Sequence, residues 1–195
     1  MTSSRSSRAP VRRRDAIVTR AGILRAARRQ FTELGYERAG VRQIAAEAGV
    51  TAALISRYFG SKEGLFVEVL SGAFQLAGAL PLARGEFGVA LVRYITAHER
   101  RPPADGFDPL LLILRSISSP SALALLRDRL DRRTIQPLAR WLGGKDRGTR
   151  AGLVVATLMG IAILRKVLRS SAFPPGEAAR AMSRLAPLLQ GIADH

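Results

Sequence analysis

Residues 41–59, "VRQIAAEAGVTAALISRYF", place apolar side chains at Val41, Ile44, Ala45 and Ala48, and again at Ile55 and Phe59. Both sets step by three or four residues, the spacing of one face of an α-helix. Helices this short are not stable alone in water, so they must pack on each other and on their neighbours. Gly49 supplies the tight turn between them, and Thr51 is a natural N-cap for the second. Two short helices joined by a short Gly-containing turn form a helix-turn-helix unit, and small residues such as Ala45 and Ala48 let them cross closely.

The flanking sequence predicts what the pair packs against. Ile17, Ala21, Leu24, Ala27, Phe31 and Leu34 form one stripe of an amphipathic helix beginning at Asp15 and ended by Gly35. The third helix, Ala52 to Phe59, is followed by "GSKE", with Ser61 as N-cap of a long fourth helix that starts at Lys62 and runs on toward Leu80. Further helices are expected over Phe87–Arg100, Pro109–Ser118, Ser121–Leu142, Arg147–Ser170 and Gly176–Ile192. Pro102-Pro103, Pro120, Gly143-Gly144 and Pro174-Pro175 punctuate them. No stretch alternates in the manner of a strand, so the expected fold class is all-α. The expected organisation is a basic arm without packed structure over residues 1–14, a helix-turn-helix domain over 15–62 and a larger helical domain over 63–195.

Charge indicates the partner. The chain carries 31 Lys and Arg against 15 Asp and Glu, a formal net charge of +16, which calls for a polyanion: nucleic acid or an anionic membrane surface. Residues 1–62 hold 13 of the basic residues and 4 of the acidic ones, so the basic density lies on the helix-turn-helix, as in a DNA reader. The longest charge-free apolar run, Ala151 to Leu164, falls short of the roughly 18–20 residues of a membrane span. The N-terminus has no apolar segment of a secretory signal, and a cytoplasmic protein with no membrane partner is expected. There is no Cys, and only His98 and His195 among histidines, so neither a thiolate nor a His-based metal site is expected, and no cofactor.

In a helix-turn-helix the second helix enters the major groove N-terminus first. With Ile55 and Phe59 turned inward, Thr51, Ala52, Ala53, Ser56, Arg57 and Tyr58 face outward. The alanines permit close approach to bases and thymine methyls, and Arg57 offers a bidentate fork to guanine or phosphate. Thr51, Tyr58 and Lys62 suit phosphate oxygens, and Arg42 at the start of the preceding helix is placed likewise. A plainer reading stands beside this one: Thr51 and Ser61 as simple caps, Arg42 and Arg57 as solvated charges.

The stretch "ILRAARRQFTELGYERAGVRQIAAEAGVTAALISRYFGSKEGLF", residues 23–66, closely resembles the N-terminal domain of the TetR (tetracycline-repressor-like) family of transcription regulators. The resemblance implies a homodimer, a three-helix DNA-binding domain and a larger helical domain that takes a small-molecule effector. By position it maps the family's DNA contacts onto Val41, Arg42, Thr51, Ala52, Ala53, Ser56, Arg57, Tyr58 and Lys62. The leading expectation is a repressor bound to a palindromic double-stranded operator and released by an apolar or amphipathic effector, with repression or activation left open by the sequence. Many members carry Tyr where this chain has Ser56, and Gly or Lys near Ala52-Ala53, so the operator sequence does not transfer by analogy.

The resemblance fades after about residue 70. "AGLVVATLMGIAIL" (Ala151–Leu164) is apolar nearly all round and is expected to be covered on most sides. Gly152, Ala156 and Gly160 form a flat stripe on it, which reads as a dimer seam made with the last helix or as an intramolecular contact. Phe74, Tyr94, Phe107, Leu111, Arg115, Trp141 and Met159 are candidate effector contacts, though aromatics at helical spacing are more often core, and a helical Arg more often reaches the surface or an internal partner. No glycine-rich phosphate loop, nucleophile elbow or paired carboxylates point to an enzyme. The competing reading is a basic architectural protein that coats DNA without an effector.

Overall fold

Why the chain breaks where it does is clearest at Gly35. The first helix, α1 (Arg8–Arg38), is interrupted there by a residue at φ 74°, ψ 174°. A Cβ on Gly35 would lie 2.2 Å from the Arg115 carbonyl oxygen, so both the backbone angle and the close approach require glycine. The computed structural model describes residues 8–73, 76, 80, 83–99, 105–174 and 178–194, with side chains for all of these except 8–14, 98–99 and 178–179. After α1 come α2 (Val41–Glu47), α3 (Ala52–Phe59), α4 (Lys62–Leu70), a single 3-10 turn at Arg84–Glu86, α5 (Phe87–Glu99), α6 (Pro109–Ser116) and α7 (Pro120–Leu130). A π turn at Asp131–Ile135 leads into α8 (Gln136–Leu142). Then come α9 (Arg147–Ala162), a second π turn at Ile163–Val167, and α10 (Ala178–Asp194). The fold is all-α, with no strand among the described residues.

Three expectations need correction. Helix α1 begins at Arg8, so residues 8–14 of the expected arm have helical backbone. Arginine is a good helix former, and Pro10 falls in the first turn, where its missing N–H has no helical partner to lose. Within α1 the buried face centres on Ile23, Ala26, Ala27 and Phe31, whereas Ile17 is 63% exposed. Helix α4 stops at Leu70, with a turn at residues 71–73, because Ser71 and Gly72 are weak helix formers.

The chain forms two compact units: Met1–Leu70 with Ala104–Leu123, and Ser71–Pro103 with Ala124–His195. The first unit therefore extends beyond residue 62 and takes in α6. Its core holds Ile23, Ala27 and Phe31 of α1, Ile44 and Ala45 of α2, Ile55 of α3, and Leu65, Phe66 and Val69 of α4. Phe66 meets Phe31 and Tyr36 edge-on, with ring centroids 5.0 and 4.8 Å away. Polar bonds fasten α6 to the end of α1. The Tyr36 N–H donates to Ser116 Oγ at 3.0 Å, the Arg28 guanidinium pairs with Asp105 at 3.0 Å, and Ser119 Oγ donates to the Glu37 carboxylate. These partners lie about 80 residues apart in sequence, which is why no local pattern assigned α6 to this unit.

In the second unit, Phe87 and Leu91 of α5, Leu138 and Leu142 of α8, Val154 and Val155 of α9, and Met182, Leu185 and Leu189 of α10 share one core. Trp141 stacks on Phe87 at 5.1 Å. Arg150 closes the C-terminal end of α10: its guanidinium donates to the carbonyls of Ile192 (3.0 Å), Ala193 (2.6 Å) and Gly143 (3.0 Å). Helix α9 is covered on one side only. Ala151, Val154 and Val155 are buried, but Leu153 is 51% exposed, and a Cβ at Gly152 or Gly160 would meet nothing within 4 Å. An apolar helix with a partner on a single face accounts for the departure from the expected burial.

Candidate nucleic-acid interface

The turn between α2 and α3 is built from backbone bonds. The Gly49 N–H donates to the Ala46 carbonyl at 3.1 Å and the Val50 N–H to that of Ala45 at 2.9 Å, closing α2. Gly49 sits at φ 67°, in the left-handed region that ends helices. Thr51 occupies the N-cap position of α3 with extended backbone, but its hydroxyl makes no capping bond and stays exposed. The cap explanation for Thr51 thus holds for its backbone and leaves its side chain free.

Ile55 is the buried anchor of α3, at 1% exposure. Around it Ala53, Ser56 and Arg57 are exposed, and Ala52, Tyr58 and Phe59 are half-buried. The Ser56 hydroxyl donates back to the Ala52 carbonyl at 3.4 Å, and the Arg20 guanidinium lies over the Phe59 ring at 5.1 Å. On α2, Arg42 is exposed and Val41 half-buried. Among the described residues neither Arg42 nor Arg57 has an ion pair, whereas Arg20, Arg28 and Arg29 of α1 are paired with Glu68, Asp105 and Glu47. Glu47, the one carboxylate on α2, is held by Arg29 and by Gln30 Nε2 at 2.5 Å, which draws it toward α1.

Lys62 opens α4 beside this surface. Its ammonium lies 4.6 Å from the centre of the Tyr36 ring and donates to the Glu37 carbonyl at 3.2 Å. The Tyr36 hydroxyl donates to Glu63 Oε1 at 2.7 Å. Burial first, and then this bond to a carboxylate, push the Tyr36 pKa well above the usual tyrosine range. The Tyr36 bond, a backbone bond and Ser61 hold the Glu63 carboxyl below the ordinary carboxylate range. Ser61 Oγ accepts from the Gly64 N–H at 3.2 Å, capping α4 as its sequence position predicts. Tyr36 and Glu63 had no place among the sequence-derived site residues. They sit 27 positions apart, so no motif spacing joins them.

The candidate effector residues fall in both units. Phe107, Leu111 and Arg115 belong to the first unit, Tyr94, Trp141 and Met159 to the second, and Phe74 lies outside the described residues. Phe107 is buried beneath the Arg28 guanidinium at 5.3 Å. Arg115 Nη1 donates to the carbonyls of Thr32 (2.8 Å) and Glu33 (2.6 Å), so its charge caps the last regular turn of α1. An open groove of about 420 Å³ in the second unit is lined by other residues, among them Ile161, Phe173, Arg180, Arg184, Leu185 and Leu188.

Among the described residues no three His, Cys, Asp or Glu gather as a metal site, and no helix is long and apolar enough to cross a membrane. Comparison with known proteins agrees with the geometry of α2–α4. The family described as bacterial regulatory proteins, tetR family, matches residues 23–69, and the tetracyclin repressor-like C-terminal domain matches residues 85–192, more than half of the chain. No curated protein sequence matches. Among solved structures, a TetR-family regulator from Streptomyces coelicolor is 24% identical, with a TM-score of 0.62 over 99% of this chain and 100% of its own. A structure from Mesorhizobium loti titled as a TetR-family transcriptional regulator is 18% identical, with a TM-score of 0.58 over 92% and 95% of the two chains. A TetR-like transcriptional regulator from Rhodococcus is 19% identical, with a TM-score of 0.51 over 90% and 93%. Likeness at these identities concerns the fold, and the two matched domains carry the assignment. The chain belongs to the TetR family, whose members are non-enzymatic, dimeric, DNA-binding transcription factors.

Proposed function

We propose that this regulator is a cytoplasmic repressor that binds a palindromic operator as a homodimer and is released by a small apolar or amphipathic effector. Residues 15–62 serve as the DNA-binding domain and residues 63–195 as the effector-binding and dimerisation domain. Helix α3 enters the major groove, with Ala52, Ala53, Ser56 and Arg57 toward the bases. Val41, Arg42, Thr51, Tyr58 and Lys62 flank them on the phosphates. The observation that carries this reading is the pairing pattern of the arginines: Arg20, Arg28 and Arg29 of α1 are paired with carboxylates within the fold, while among the described residues Arg42 and Arg57 are left without an ion pair beside a face of small residues. Unpaired arginines next to alanines suit close approach to base edges.

The test is a specificity ratio at fixed salt. An operator selected from random DNA should bind at least about a thousandfold more tightly than scrambled DNA. A ratio near one would leave a basic architectural protein held by its +16 charge alone. The dimer seam is placed on α9 and α10, supported by the open stripe of Gly152, Ala156 and Gly160 beside exposed Leu153. Gly160→Leu should separate the subunits in sedimentation, and an unchanged dimer would move the seam elsewhere. Effector release requires that the ligand favour one arrangement of the protein over the other. Operator DNA must then weaken effector binding by the same factor.

A further inference from the structure

We infer, resting on the phosphate contact proposed for Lys62, that Ser119 is a positioning residue for DNA binding. Its hydroxyl holds the Glu37 carboxylate and so keeps the Lys62 ammonium out of an internal ion pair. Lys62 stands next to two acidic residues: its ammonium donates to the Glu37 carbonyl at 3.2 Å, and Glu63 follows it in the chain. Yet among the described residues Lys62 has no ion pair. Each carboxylate is engaged elsewhere. Glu63 accepts from the Tyr36 hydroxyl at 2.7 Å and is held by Ser61 as well, whereas Glu37 accepts from Ser119. One donor of the ammonium is used on the Glu37 carbonyl, and the others are left for phosphate.

The surroundings of Ser119 fix which way its hydroxyl points. The residue is 2% exposed and sits immediately before α7. Its N–H donates to the Ser116 carbonyl at 3.0 Å, and its carbonyl accepts from the Leu123 N–H at 2.8 Å. Its Oγ accepts from the Ala122 N–H at 3.2 Å, capping α7. With the oxygen turned to that N–H, the hydroxyl proton is left to donate to Glu37. Hydrogen bonds from a hydroxyl to a carboxylate are among the stronger ones in proteins, so the hold is firm. The Glu37 charge stays close to Lys62 all the same. After burial and Glu63, it is the smallest of the causes that raise the pKa of Tyr36, whose ring lies 4.6 Å from the Lys62 ammonium. Released from Ser119, the Glu37 side chain can swing to the ammonium that its own carbonyl already holds. A carboxylate there would compete with phosphate for the same charge.

The experiment measures full-length protein binding to a selected operator and to a scrambled duplex by fluorescence anisotropy across a salt series, per folded molecule. Ser119→Ala should weaken both duplexes alike, about threefold, and lower the salt slope toward that of Lys62→Ala. In the Glu37→Gln background the same change should cost nothing, because glutamine has no charge to offer the ammonium. Glu37→Gln alone is the reference for that rescue, since removing a carboxylate beside DNA has an effect of its own. The thermal midpoint, lowered by loss of the α7 cap, should stay low in the double variant. Recovery of affinity without recovery of stability separates the electrostatic role from a merely structural one. In the Lys62→Ala background Ser119→Ala should change nothing further. If Ser119→Ala does not fold, Ser119→Cys keeps the shape with a weaker donor and should give a smaller loss with the same rescue. Unchanged binding in Ser119→Ala would overturn the proposal, and so would a loss that persists in the Glu37→Gln background. If Lys62→Ala itself left both duplexes unaffected, the phosphate contact would fall and the role of Ser119 with it.

Discussion

Arg115 and Arg150 end in backbone carbonyls, whereas Arg42 and Arg57 end in solvent. The first pair does structural work: Arg115 caps the α1 turn before Gly35, and Arg150 ties the end of α10 to the turn at Gly143. The second pair has no partner among the described residues, and both its members lie on the helix-turn-helix. A chain rich in arginine thus carries two kinds of guanidinium that its composition cannot separate. The difference is whether a helix C-terminus with orphan carbonyls lies within reach.

The sharpest way to break that comparison is Arg150→Met, which keeps much of the aliphatic stem and removes every donor. Losing charge-assisted bonds to the carbonyls of residues 143, 192 and 193 should cost about 3 kcal/mol. Urea unfolding would show it as a lower midpoint at unchanged slope, with operator affinity per folded molecule intact. A midpoint equal to wild type would make Arg150 another solvated charge. Next in size is Arg57→Ala, with the opposite profile. Loss of a bidentate base contact should weaken the selected operator by about 1–3 kcal/mol and scrambled DNA much less. The urea midpoint should hold to within about 0.5 kcal/mol, as for exposed positions generally. If the two variants showed the same profile, the distinction between buttress and reader would collapse.

How far the sequence reached follows the same division. The bounds of α3, Ala52 to Phe59, match the expectation residue for residue, because cap, apolar spacing and the following Gly60 all lie within a dozen positions. The helices of the second half were also legible from Pro and Gly punctuation, including the continuous helical run from Pro120 to Leu142, which hides a π turn. What escaped was every feature resting on a distant partner. Arg115 looked like a possible ligand anchor because its acceptors, Thr32 and Glu33, are more than 80 residues away. The candidate effector aromatics were chosen by type, and two of them turn out to stack on or under partners: Trp141 on Phe87, and Phe107 beneath Arg28. The groove was missed because its cations and its apolar residues alternate along α10, a pattern that reads as an ordinary surface helix.

The smallest expected effect concerns Lys62, which belongs to both kinds: its ammonium is anchored on the Glu37 carbonyl and the Tyr36 ring, yet it stands beside the proposed DNA face. Lys62→Ala should weaken binding to every DNA sequence alike and lower the slope of log affinity against log salt by about one. A loss confined to the operator would contradict a phosphate role. Tyr36→Phe keeps the ring under Lys62 and deletes only the bond to Glu63, so near neutral pH its DNA affinity should match wild type. Stability against pH should separate them. The raised Tyr36 pKa contributes stability that is fully present below the unfolded value of 10.0 and lost as pH climbs beyond it. The lowered Glu63 pKa contributes stability present above its ordinary value of 4.5 and lost as pH falls through the lower folded value. Tyr36→Phe should therefore be flatter than wild type at both ends of a pH series of thermal midpoints. Parallel curves would mean that the hydroxyl and Glu63 do not hold each other, and that Lys62 is positioned by the ring and the Glu37 carbonyl alone.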